Sequence, residues 1–250
     1  MCGGVVVIVT RWWLAWLLWT VACVMALLGA NLSPSWLLAP QATAPTTPRP
    51  LALDTPYGQH HHTFTNSLQE QASGRGGPLV EQRASLGLWL RCALMGSEPR
   101  TALHCGVYVT NVPDLPAAQV VALVGVVSAT VLTVVSCLAI CSSACLRLIN
   151  GSNWFTIIST MQATAGVLSL AGVAAFPGAW DSPRVQNLCG ADAGVYYSSR
   201  CTVGWATYIT LAASIGLLLC TCLSSFAAKS TTTEDVADEV SKGNNVICLI

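Results

Sequence analysis

The chain has 250 residues, eleven basic and eleven acidic, and is 9% charged and 53% apolar. A soluble globular domain is about a quarter charged, and a nucleic-acid binder carries a basic patch; this composition fits neither. The apolar residues are concentrated in four runs without Asp, Glu, Lys, Arg or His: Trp12–Trp36, Leu115–Leu146, Leu148–Trp180 and Cys201–Ala228. A hydrocarbon core about 30 Å thick takes roughly 20 residues of helix. The runs therefore predict four spans, at about 12–36, 116–146, 154–178 and 203–228, as an all-α membrane protein with a four-transmembrane-helix bundle.

The first run is too long for the apolar region of a signal peptide, so it reads as a retained signal-anchor helix. The opening Met1-Cys2-Gly3 lacks glycine at position 2 and so lacks the myristoylation pattern. Trp12, Trp13, Trp16 and Trp19 open span 1 and Trp36 closes it. Interfacial belts are rich in Trp, which places Trp12 and Trp13 at one membrane face and Trp36 at the other.

Residues 41–83 are rich in Pro, Thr, Gln and Gly and read as a flexible loop insert without a core of its own. His60-His61-His62 lies within it; without a second ligand cluster it predicts no metal site. Leu86–Leu94 turns apolar and strand-like, with Val107–Val109 as a partner strand, so a small β-sheet is expected on the helix ends.

In span 2, Cys137, Cys141 and Cys145 recur at i, i+4 and i+8 and share one helix face. Two readings stand for Cys145, and similarly for Cys222 at the end of span 4: a small packing residue, or S-palmitoylation of a juxtamembrane thiol. Span 3 carries Ala163, Gly166, Ser169 and Gly172, small residues that let helices approach closely in lipid. After span 4, residues 229–250 form a tail. Thr231 and Glu234 have capping-box spacing. The end, Ile247-Cys248-Leu249-Ile250, puts Cys in the wrong place for prenylation and offers a weak contact to a PDZ groove.

Four spans put both termini and the Arg147–Ser152 turn on one face, and loops 1 and 3 on the other. Cys92, Cys105, Cys189 and Cys201 all fall in loops 1 and 3. An even set on one side predicts two disulfides in an oxidising compartment; local pairing, Cys92–Cys105 and Cys189–Cys201, is the simplest of three connectivities. Loops 1 and 3 are then extracellular and both termini cytoplasmic, in agreement with Arg11, Arg147, Lys229 and Lys242. Neither the Asn31 nor the Asn150 sequon is expected to carry a glycan.

An intramembrane ionisable residue is the usual mark of an ion path or substrate site, and the four runs contain none. No catalytic or cofactor-binding set is predicted. The chain reads as a scaffold for other membrane proteins.

Trp36, then Gly87-Leu88-Trp89-Leu90-Arg91-Cys92, then Cys105 resembles the W…GLWxxC…C signature of the claudin-like tetraspan superfamily. Three features resemble one branch, the lipoma HMGIC fusion partner-like (LHFPL) family: the Trp-rich span 1 ending in Pro34-Ser35-Trp36, the loop 3 run Trp180-Asp181-Ser182-Pro183 with Leu188-Cys189-Gly190, and Cys201-Thr202-Val203-Gly204-Trp205-Ala206. The polar stretch between Trp36 and Gly87 is longer than the superfamily pattern. The resemblance implies a left-handed four-helix bundle with a small extracellular β-sheet, claudin-like, in the plasma membrane. It implies an auxiliary subunit that accompanies an ion channel or adhesion receptor. The rival is a claudin-like junction protein whose loop charges set paracellular permeability. Glu81, Arg83, Arg91, Glu98 and Arg100 are of mixed sign, whereas such pores use rings of like charge.

Overall fold

A computed structural model describes residues 7–40, 83–95, 102–109, 115–143, 151–231, 233, 242 and 246–249. Its elements are β1 (Val7–Thr10), α1 (Arg11–Asn31), β2 (Leu37–Leu38), β3 (Ser85–Leu86), β4 (Leu90–Met95), β5 (Ala102–Val107), α2 (Ala117–Ser143), α3 (Gly151–Ala175), α4 (Pro183–Cys189), β6 (Thr202–Val203), α5 (Trp205–Ser230) and β7 (Val246–Leu249). A single 3-10 turn, Phe176–Ala179, continues α3.

Helices α1, α2, α3 and α5 are long and apolar enough to cross a membrane. Helix is the form that satisfies every backbone group of a single segment in lipid. The four form a ring in which α1 packs on α2 and α5, and α3 packs on α2 and α5. Glycines set the close approaches. A Cβ on Gly172 would lie 3.0 Å from the Ala122 carbonyl oxygen, and one on Gly125 would lie 2.9 Å from that of Leu168. Small residues thus let the α2 and α3 backbones come together, with the Val126 side chain packed over Gly172.

The first helix ends earlier than its apolar run. Ser35 donates its N–H to the Ser33 hydroxyl at 3.0 Å, Pro34 cannot continue a helix, and the chain turns into β2. At the other end Thr10 caps α1 through the Trp13 N–H, 3.3 Å away. The tryptophans of span 1 also depart from the expected belt. Trp13 and Trp16 are buried in the bundle; Trp12 is exposed and stacks on Phe226 at 5.2 Å.

The β-sheet caps the opposite end of the bundle from the chain termini. Its order is β5-β4-β3-β2-β6, antiparallel throughout. The strand expected across Leu86–Leu94 is broken: Leu86 pairs with Arg91, and the Gly87 N–H donates to the Leu90 carbonyl at 2.8 Å. Gly87-Leu88-Trp89 is therefore a hairpin turn between β3 and β4. The partner strand is Ala102–Val107, with Leu90 opposite Val107 and Cys92 opposite Cys105. A second sheet joins the chain ends, with β1 and β7 parallel and Val7 opposite Val246.

His60–His62, Cys145, the Asn150 sequon, Glu81, Glu98, Arg100 and Glu234 lie outside the described residues, as does 41–82 of the loop insert.

Candidate functional site

Trp36 sits at the centre of the sheet end and is fully buried, not at a lipid interface. Its indole N–H donates to the Ala30 carbonyl at 2.8 Å, folding the residue back over the end of α1. Its own carbonyl accepts from the Gly204 N–H at 2.8 Å and the Thr207 hydroxyl at 3.1 Å. Phe176 meets its ring edge-on at 5.2 Å, and Trp180 meets Phe176 at 6.2 Å. Residues far apart in sequence thus build one aromatic core.

The hairpin turn docks beside it. Leu88 is fully buried in the same core, and the Trp89 indole N–H donates to the Asn31 carbonyl. Gly87 is required by space rather than by φ: a Cβ there would lie 2.6 Å from the Ser33 carbonyl oxygen. Gly204 is tighter still, at 2.0 Å from the Ser35 carbonyl oxygen.

Tyr108 locks the turn. Its hydroxyl proton is shared between the carbonyls of Gly87 at 2.9 Å and Leu88 at 2.8 Å, and Gln119 donates to its oxygen. Arg184 lies over the ring at 5.7 Å. Burial pushes the Tyr108 phenol up to about 12, against the lowering effects of Arg184 and the Gln119 hydrogen bond.

Two disulfides staple this end. Cys92 and Cys105 are bonded across β4 and β5, and Cys189 and Cys201 join α4 to the start of β6. In loop 3, the Trp180 indole N–H, Ser182 hydroxyl and one Arg184 nitrogen are buried and make no hydrogen bond.

Inside the bundle, polar side chains join helices. Trp16 donates to the Gln162 side-chain oxygen at 3.0 Å, and Gln162 donates to the Thr20 hydroxyl at 2.9 Å. This diagonal joint ties α1 to α3. Asn31 donates to Thr130 at 2.6 Å and to the Leu27 carbonyl at 3.0 Å, so its amide nitrogen is engaged and the residue is 6% exposed. Ser214 donates to Ser169 at 2.7 Å between α5 and α3. Among the described residues, no group of three or more His, Cys, Asp or Glu is placed to hold a metal. Between α2 and α3 an apolar cleft of about 310 Å³, lined by Val120, Val124, Gly125, Leu168 and Gly172 among others, opens sideways. Cys222 is exposed and Cys137 half-buried.

Sequence reasoning did not single out Tyr108, Gln119, Gln162 or Arg184. The available signal was two uncharged amides, Gln119 and Gln162, within or beside apolar runs; an uncharged amide in lipid needs partners as surely as a charge does.

Four apolar helices in a ring, capped by a disulfide-stapled sheet, define a tetraspan membrane protein. The chain belongs to the lipoma HMGIC fusion partner-like family, whose model matches residues 12–229. It is similar to the zebrafish (Danio rerio) LHFPL tetraspan subfamily member 2a protein, 29% identical over 67% of this chain and 75% of the relative. It is similar also to the human member 2 protein, 25% identical over 72% of this chain and 81% of the relative. The human member 4 protein shares 32% identity over a shorter stretch, 31% of this chain and 30% of the relative.

Proposed function

We propose that this protein is a non-enzymatic auxiliary or scaffolding subunit that stabilises or localises an ion channel or adhesion receptor at the plasma membrane. The sheet and loop 3 lie outside the cell and both termini lie in the cytoplasm, a placement supported by the two disulfides at the sheet end.

The observation that carries this reading is where the polar groups go. Within the spans, the hydrogen bonds of Trp16, Gln162, Thr20, Asn31, Thr130, Ser169 and Ser214 run to another helix or to their own backbone. They fasten the bundle. The outer face of α2 is left aliphatic, with Val121, Val124, Val131 and Leu138 exposed. Such a surface suits side-by-side packing with a membrane partner. Above it β5 forms an edge of the sheet, and a sheet edge can accept an extended segment.

Cys145 and Cys222 are the candidate palmitoylation sites, and the carboxyl terminus adds a weak PDZ contact once β7 leaves β1. The deciding experiment is proximity labelling in the native cell type, with the label on the carboxyl-terminal tail. Enrichment of one channel or adhesion receptor supports the reading and names the partner. Recovery of neither class removes its main support. The alternative, a claudin-like junction protein, draws on the stapled antiparallel sheet; strand formation between transfected cells would favour it.

A further inference from the structure

The tip of the loop between α4 and β6 departs from its surroundings. Val195, Tyr196 and Tyr197 are 56%, 66% and 62% exposed. Gly194 and Tyr197 exchange backbone hydrogen bonds at 3.0 and 2.9 Å, so these side chains project from a closed turn. Tyr196 has a φ of +60°, in the left-handed region that costs a non-glycine residue about 1 kcal/mol or more.

Tyr196 is fastened in an unusual sense. Its N–H donates to the Pro177 carbonyl at 3.0 Å and its hydroxyl to the Ala174 carbonyl at 3.0 Å. Ala174 belongs to the last turn of α3, where helix carbonyls lack partners and Pro177 has no N–H to supply. A tyrosine in bulk water keeps its hydroxyl in the water. This one turns its hydroxyl onto a membrane helix and leaves the rest of the residue largely uncovered. An aromatic ring whose polar atom is already satisfied suits the boundary between headgroups and acyl chains.

The rim around it has the same character. Trp205 and Tyr208, in the first turn of α5, are exposed, and α5 is tied to α3 through Ser214 and Ser169. The loop tip is thus fastened to the end of α3, and α3 packs along α5. Asp192 and Arg200, both exposed, flank the tip with one charge of each sign.

We propose that Val195, Tyr196 and Tyr197 form a wedge that binds the lipid surface, seating the loop tip among the headgroups of the leaflet at the sheet end. The flanking charges cancel, so zwitterionic phospholipid suffices as the ligand. The wedge fixes the height and tilt of the sheet relative to the membrane, whichever protein partner the molecule keeps.

The test places p-benzoylphenylalanine at position 197 of the full chain, reconstituted in phosphatidylcholine vesicles and irradiated. The same group at Leu211, exposed on α5, marks lipid contact; at His104, exposed on β5, it marks water. Only preparations with both disulfides intact and monodisperse elution are scored. The expected result is lipid adducts at 197 comparable to those at 211 and several-fold above those at 104. A yield at 197 no higher than at 104, or crosslinks to a second copy of the chain in place of lipid, overturns the proposal.

Discussion

The Tyr108 hydroxyl lies 2.8 Å from the Leu88 carbonyl oxygen, 20 residues earlier in the chain. This bond turns the Gly87-Leu88-Trp89 hairpin from a local bend into part of the sheet-end core. Tyr108→Phe should lower stability by about 1 kcal/mol, the usual net worth of such a bond.

The same residue predicts an alkaline limit. Its phenol ionises at about 12 in the folded chain, against an ordinary 10.0, so the folded state holds the proton more tightly than the unfolded chain. The resulting stability is complete below pH 10 and is lost as pH rises toward 12. It amounts to something on the order of 2 kcal/mol. Thermal unfolding in detergent from pH 9 to 12, compared with Tyr108→Phe, measures it. Identical alkaline slopes for the two proteins would discard the assignment.

Two glycines make a contrast. Gly87→Ala places a methyl group 2.6 Å from the Ser33 carbonyl oxygen, whereas a Cβ on Gly106 meets nothing within 4 Å. The first substitution should cost about 1–3 kcal/mol by overpacking, and the second should stay within about 0.5 kcal/mol. Melting temperatures of the two variants decide it, and equal losses would refute the packing argument.

Gln162→Ala removes both bonds of the diagonal joint, leaving the Trp16 N–H without an acceptor while the Thr20 hydroxyl keeps the Trp16 carbonyl at 2.8 Å. Hydrogen bonds between membrane helices average about 0.6 kcal/mol, and stranding buried polar atoms adds about 1–3 kcal/mol. The variant should therefore melt clearly lower than one altered at exposed Thr160. Fluorescence-detected size exclusion after heating gives the comparison, and indistinguishable curves would show that the joint carries little.

Breaking the Cys189–Cys201 bond should weaken the loop 3 end. Its residues are 12 apart, and the chain-entropy model assigns a loop of that size about 3 kcal/mol. Cys189→Ser should sharpen proteolytic cleavage between residues 183 and 201. Unchanged cleavage would argue that Val185 and the aromatic core hold α4 unaided.

The four spans were legible because exclusion of charge is a property of each run by itself. The inward turn of the span 1 tryptophans was not. Trp13 finds its acceptor in Ser143, 130 residues away, and Trp16 in Gln162, 146 residues away; nothing in the local sequence separates those indoles from an interfacial belt. Trp36 was misplaced for a related reason: Pro34 and the Ser33 turn reverse the chain, and an uncharged run hides that bend. The β3–β4 hairpin was read as one strand because Leu86–Leu94 is apolar apart from Arg91, while its turn depends on contact with Ser33. Strands β1 and β7 lie at opposite ends of the chain, and four residues each are too few to announce a pairing.

The position of β2 in the sheet has a consequence for biosynthesis. β2 lies between β3 and β6, yet Leu37 and its partner Val203 are separated by two further membrane crossings, α2 and α3. As the ribosome works through the message, Trp36 and β2 leave the translocation machinery long before Gly204 is made. Until then one side of β2 is an uncovered edge, open to chaperones or to wrong neighbours. Arrival of the fourth helix closes it, so the last crossing acts as an inspection step for the first, and a chain that stops short of Cys201 displays that it is unfinished.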